Sequence, residues 1–283
     1  MSAPADIAAR TRPATWRQRA ATFFNMHPRV GFAIAVVIDL ILFYVLWQVL
    51  TVTRVLPPRF FPTANAVLGR MGAVLVGSEF WITLWHTVES WGAGLIIGGV
   101  LGTLSGIVLG ANDRAYRFCR VVIELMRPIP PVVILPLALL LLGVTLQIKL
   151  LLIFQGIFWI VLLQAVYGVR SVDKVMLETA RVYGMSRTRQ FFSIQLPGSL
   201  PFIVTGIRIA AIFSLIVSIV AELVGGAPGL GNDILRAMSA GDDRSMYSLI
   251  LLTGVLGVII TAGFSMLERL ILFWHPSQRK VSQ

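Results

Sequence analysis

Charged positions are missing from this chain for long runs. Residues 90–112, 128–148, 150–169 and 245–267 contain none. Each run is about 20 residues long, the length a helix needs to cross roughly 30 Å of hydrocarbon. Two further runs are nearly as apolar: residues 30–53 carry only Asp39, and residues 199–224 carry Arg208 and Glu222. The pattern predicts an all-α integral membrane protein with about six transmembrane helices, over 30–53, 83–112, 123–145, 147–169, 199–224 and 245–273. Pro57, Pro58 and Pro62 break any helix early in the segment 54–82. The first apolar run lacks an A-x-A cleavage site and reads as an uncleaved helix.

Composition agrees. Of 283 residues 57% are hydrophobic and 13% charged, where a soluble globular chain carries about 25% charge. Mean hydropathy is +0.83, which excludes a large soluble enzyme. The formal charge is +11, and its placement decides its meaning. Sixteen of the 24 Lys and Arg fall on the N-terminal arm, residues 113–127, residues 170–189 and the tail, against six on the alternate loops. The positive-inside rule then places both termini in the cytoplasm and explains the charge without nucleic acid. Residues 1–28 read as a basic flexible arm, 29–275 as the transmembrane domain and 276–283 as a cytoplasmic tail. Cys119 is the single cysteine, and His27, His86 and His275 are far apart, so no disulfide and no metal site is expected.

Gly94, Gly98, Gly102, Gly106 and Gly110 repeat every four residues and make a smooth helix face. Such a face suits close packing in a bundle; a surface that slides during a transport cycle is the alternative. Pro130 and Pro131 open the third span, as a plain helix start or as a break lining a pathway. Arg208 and Glu222 are ionisable groups inside apolar spans, each costing about 2.5–3.5 kcal/mol at mid-membrane on insertion scales. Arg208 snorkels or attracts an anion; Glu222, beside Gly225 and Gly226, suits a structural corner or a gate. Ser214 and Ser218 share a helix face at i, i+4, as pathway donors or as interhelical glue.

The loop 170–198 is the most informative segment. It reads Glu178-Thr179-Ala180-Arg181-Val182-Tyr183-Gly184, then nine residues, then Ile194-Gln195-Leu196-Pro197. This predicts a helix, a glycine turn and a second short helix ending at proline. Val172, Val175, Met176 and Ala180 give the first helix an apolar side. Gly184 permits a tight turn or a close backbone approach. Met185 follows it, Ser186 caps the second helix, and Phe191, Phe192 and Ile194 are expected to pack that helix onto the bundle.

The spacing E-x-A-x-x-x-G-x9-I-x-L-P resembles the signature loop of the permease subunits of bacterial ATP-binding-cassette importers, with Thr179 where alanine is usual. Leu125–Pro131, Gly168–Asp173, Thr205–Arg208 and Ala221–Gly225 are similar to segments of the nitrate, sulfonate, taurine and bicarbonate branch. The resemblance extends over most of residues 60–273. It implies a type I importer permease (MetI-like) fold in the bacterial inner membrane. It implies a second permease chain, often an identical one in a homodimer and otherwise a different one, two cytoplasmic ATPase subunits and a periplasmic substrate-binding protein. Glu178, Thr179, Ala180, Arg181, Gly184, Met185 and Ser186 would then couple to the ATPase, with Ile194, Leu196 and Pro197 anchoring the loop. No catalytic residue and no cofactor is implied for this chain, since ATP binds the partner. The three lysines, Lys149, Lys174 and Lys280, lie outside any G-x-x-x-x-G-K-[ST] motif. An ion-coupled secondary transporter or channel is the alternative reading, and a membrane enzyme built on Asp233, Asp242, Asp243 and Arg244 a third.

Overall fold

The computed structural model describes residues 28–273, so most of the basic arm, the tail, His27 and His275 lie outside it. All regular structure among the described residues is helical. The chain forms two units, Met1–Ala66 and Val67–Gln283.

The first unit holds α1, Pro28–Val52, whose apolar window Ala33–Val52 is long enough to cross a membrane. Leu40, Leu42 and Phe43 are among its exposed apolar side chains, as a lipid-facing helix requires. The Tyr44 hydroxyl donates to Asn65 Oδ1 at 2.5 Å, and Gln48 Oε1 accepts from the Asn65 N–H at 3.2 Å. Asn65 lies in α2, Ala64–Val76.

The second unit is built around α3, Ser78–Ala111, and α6, Leu146–Arg170. Apolar burial does not drive helices together in lipid; close packing and polar contacts do. The five glycines supply that close packing. A Cβ on Gly94 would meet Ile153, on Gly98 Ile157, on Gly102 Val161, on Gly106 Ala165, and on Gly110 Val169. Both series climb by four residues in the same direction, so α3 and α6 run parallel. The chain between them must therefore cross back once.

It does so in two pieces. Asn112 ends α3 and caps α4, Asp113–Met126, accepting from the N–H groups of Arg114 and Ala115 at 3.0 and 3.2 Å. The helix α5, Pro131–Leu142, follows after a bend of 86°. The expected single span over 123–145 is thus broken, and residues 113–127 form a helix rather than a surface loop. Proline is the cause: Pro130 is extended, at ψ 134°, and Pro131 starts α5 where no N–H is needed. The break lies level with the middle of α6. Gln155 Nε2 donates to the Met126 carbonyl at 3.4 Å, and a Cβ on Gly156 would meet Pro131 at 3.1 Å.

A second difference lies after the loop. The short helix α8, Arg187–Gln190, runs through a π turn, Phe191–Gln195, straight into α9, Leu196–Gly225. Pro197 does not end it. Proline removes a backbone donor and crowds the preceding turn; the wide π turn, with Leu196 N–H on the Phe191 carbonyl, absorbs that crowding. The whole rod, Arg187–Gly225, is 39 residues long. Gly226, at φ +70°, stops it. The chain then forms α10, Leu230–Ser239, and α11, Asp243–Ile271. Asp233 therefore lies in α10, and Asp243 and Arg244 in the first turn of α11. Asp242 caps α11, accepting from the Ser245 hydroxyl at 2.5 Å and N–H at 3.1 Å, and these bonds hold its carboxyl below the usual range. Five helical segments are long and apolar enough to span a membrane, and the bent pair α4–α5 makes a sixth.

Gly106→Leu should destabilise the bundle by about 1–3 kcal/mol or more, the usual range for overpacking, because its Cβ would overlap the Leu162 carbonyl and Ala165. Gly99→Ala, whose Cβ meets nothing within 4 Å, should be tolerated. Unfolding by SDS titration in detergent compares the two.

Candidate functional site: an exposed helical loop and a buried ion pair

The loop folds by local rules. Asp173 caps α7, Lys174–Val182, accepting from the Val175 N–H at 2.8 Å. At the other end Met185 N–H reaches the Ala180 carbonyl at 3.0 Å, and Gly184 N–H reaches Arg181 at 2.9 Å. That is a Schellman stop with its left-handed residue at Gly184, φ +77°. Gly184 is thus needed for the turn, and a Cβ there would meet nothing within 4 Å of its own chain. Ser186 Oγ accepts from the Arg189 N–H at 3.4 Å, and Gln190 Nε2 donates to the Met185 carbonyl at 2.8 Å.

None of α7 is buried. Glu178, Thr179 and Arg181 are exposed, and Ala180 is half-buried. Val175 and Met176 face out, as do Val182 and Tyr183 at 85% and 87% exposure. Phe192, expected to pack on the bundle, is exposed, whereas Phe191, Ile194, Leu196 and Pro197 are half-buried. Exposed apolar side chains on a capped hairpin that also carries the exposed Lys174, Arg181, Arg187 and Arg189 make it a candidate interaction surface.

At the opposite end of α6, Lys149 lies in the first turn and is 2% exposed. Its Nζ donates to Glu222 Oε1 at 3.0 Å, the His86 carbonyl at 2.9 Å and the Pro228 carbonyl at 2.8 Å. All three ammonium protons are therefore used. Glu222, fully buried, also accepts from Ser218 at 3.3 Å, and from Thr87 and the Gly231 N–H at 3.0 Å each. Ser90 and Ser218 share a hydrogen bond of 2.8 Å, and Leu230 N–H donates to Thr87 at 2.9 Å. A Cβ on Gly229 would fall on the Glu222 carboxyl, and one on Gly231 on the Ile219 carbonyl.

The structure thus gathers Ser218 and Glu222, two of the residues singled out from the sequence, into one saturated cluster. The others lie apart. Arg208 pairs with Glu268 of α11 at 2.9 Å. Ser214 is buried and donates to the Ala211 carbonyl at 3.1 Å. Pro130 and Pro131 form the α4–α5 break. Lys149, one of the six basic residues that the charge count above assigns to the alternate loops, is instead buried beside Glu222. Its signal was in the pattern, as a single charge between two runs of about 20 apolar residues. Thr87 and Ser90 had none.

Lys149→Met and Glu222→Gln should each destabilise the bundle by about 3–5 kcal/mol, since each strands a buried charge. The double replacement Lys149→Met with Glu222→Met should lose clearly less than the sum of the two single replacements Lys149→Met and Glu222→Met. A double-mutant cycle on unfolding in detergent measures the coupling.

Residues 94–272, from the middle of α3 to the end of α11, match the family described as "Binding-protein-dependent transport system inner membrane component". The taurine transport system permease protein TauC of Escherichia coli (strain K12) is 31% identical over 83% of this chain and 87% of its own. A protein of Bacillus subtilis (strain 168) assigned to aliphatic sulfonates transport as a permease, SsuC, is 28% identical over 82% and 84%. The nitrate import permease protein NrtB of Leptolyngbya laminosa is 25% identical over 60% and 61%. A chain of the MetNI methionine ABC transporter, solved in inward facing conformations, aligns with a TM-score of 0.60 at 21% identity, over 68% of this chain and 95% of that one. That likeness shows a shared fold. The chain belongs to the binding-protein-dependent transport system inner membrane component family and is a multi-pass permease of the bacterial inner membrane.

Proposed function

We propose that this chain forms the translocation pathway of an ATP-driven importer for a small oxyanion such as taurine, an aliphatic sulfonate or nitrate. A separate ATPase docks on its 178–197 loop. The observation that carries this is the hairpin itself: capped at Asp173, stopped at Gly184, and presenting Val182 and Tyr183 to an absent surface. A helix with no buried residue gains nothing for its own bundle from such apolar groups. The names of TauC, SsuC and NrtB supply the oxyanion. Loop charge puts the hairpin and both termini in the cytoplasm. The Lys149–Glu222 end then faces the periplasm, where a binding protein delivers substrate. Two such chains pair as a homodimer. ATP binding in the partner draws the two hairpins together and opens the far end; hydrolysis resets it.

Capture of the tagged chain from its native membranes in mild detergent, with mass spectrometry, tests the reading. A P-loop ATPase should be recovered with the wild type. Recovery should fall at least tenfold in Val182→Asp and Tyr183→Asp, both exposed, while the thermal midpoint of the bundle is unchanged. Recovery of the chain without an ATPase, together with ion-driven flux in liposomes, overturns it in favour of a secondary transporter.

A further inference from the structure

A second cluster of charge lies along the outer face of the first half of the broken span, where Arg120, Glu124 and Arg127 are exposed. The helix α4 runs antiparallel to α6, from the Arg170–Asp113 pair at 2.7 Å to the Met126 carbonyl beside Gln155. Gln155 is 15 residues before Arg170, about 22 Å along the helix at 1.5 Å per residue. Arg127, adjoining that carbonyl, therefore lies near mid-membrane rather than in a surface loop. A lone arginine at that depth is costly and marks a site by default.

Between α4 and α6 there is a cavity of about 380 Å³, large enough for a small ligand. Arg120, Arg127, Glu124, Tyr116 and Tyr167 supply its polar lining. Arg120 is already held by Glu124 at 2.7 Å, and Arg170 lies 4.0 Å over the Tyr116 ring. Arg127 has no acidic partner among the described residues, and neither tyrosine hydroxyl has a hydrogen-bond partner there. One unmatched guanidinium and two phenolic donors around a cavity are the donor set for a monoanionic oxyanion. The place fits as well, because broken helices carry binding sites near the midplane.

We propose that this cavity is an oxyanion site within the membrane, with Arg127 as the charge-matching group, Tyr116 and Tyr167 as neutral donors, and Glu124 holding Arg120 aside. It rests on the importer reading for its role as a station along the pathway. The ligand chemistry itself, a singly charged oxyanion, comes from a translocating sulfonate or nitrate or from a phospholipid phosphate.

The test uses the full chain in nanodiscs of phosphatidylcholine, without an ATPase, so that it stands whether or not the coupling reading does. Equilibrium binding of radiolabelled taurine, competed by nitrate, should weaken tenfold or more in Arg127→Gln and several-fold in Tyr167→Phe. Arg114→Gln, on the exposed first turn of α4 and outside the cavity, should change it less than twofold. In parallel, native mass spectrometry of the chain from its own membranes reads retained phosphatidylglycerol. Lipid retained by the wild type and lost in Arg127→Gln, with no taurine binding, supports the site and assigns it to lipid phosphate. If both variants keep their thermal midpoints and neither taurine binding nor lipid retention changes, the proposal is overturned.

Discussion

Lys149 and Glu222 are the only charged residues fully buried among those described, and the architecture of one end of the bundle follows from that. Two charges removed from water are tolerated only when every proton and lone pair finds a partner. Here the partners come from α3, α9, α10 and the turn before α10. The pair therefore fixes where four segments meet. It also dictates glycine at 229 and 231, where a side chain would strike the carboxylate or the α9 backbone.

The other half of the packing is steric. The glycines of α3 let α6 approach until Ile153 through Val169 fill the gap, and this parallel contact forces the intervening chain to return across the membrane. That return is made by two half-helices, because Pro130 and Pro131 do not allow one straight rod. A break at mid-depth is acceptable only where protein or water satisfies it, and the cavity of Arg127 and the tyrosines lies on the loop side of this break.

Rigidity and exposure are thus divided between the two ends of α6. Lys149 and Arg170 are 21 residues apart, about 32 Å. One end is locked by a saturated polar cluster. The other leads into a hairpin that is ordered by its own caps but buries nothing of its first helix. On the proposed reading that division is useful, since a hairpin already shaped by its own caps loses little order when a partner docks.

Much of this was legible in the chain. Runs without charge located the spans, the period of four exposed the α3 face, and the Gly184 turn and Ser186 cap of the loop could be read because caps and glycine turns are local chemistry. Asp173, Gly184 and Ser186 do their work within a few residues of themselves. What the sequence left open depended on distance along the chain. Lys149 and Glu222 are 73 residues apart, and only the antiparallel packing of α6 on α9 makes the one the counter-charge of the other. Arg208 was open between snorkelling and attracting an anion until α11 brought Glu268 to it. Arg127 looked like part of a basic surface loop until α4 proved to run down α6. Hydrophobic pattern and turn chemistry are properties of neighbouring residues, so the sequence alone determined where the apolar spans lie and where the chain turns at Gly184. Charge compensation is a property of contacts between helices, so only the tertiary structure decided which charges are satisfied and which remain available to a ligand.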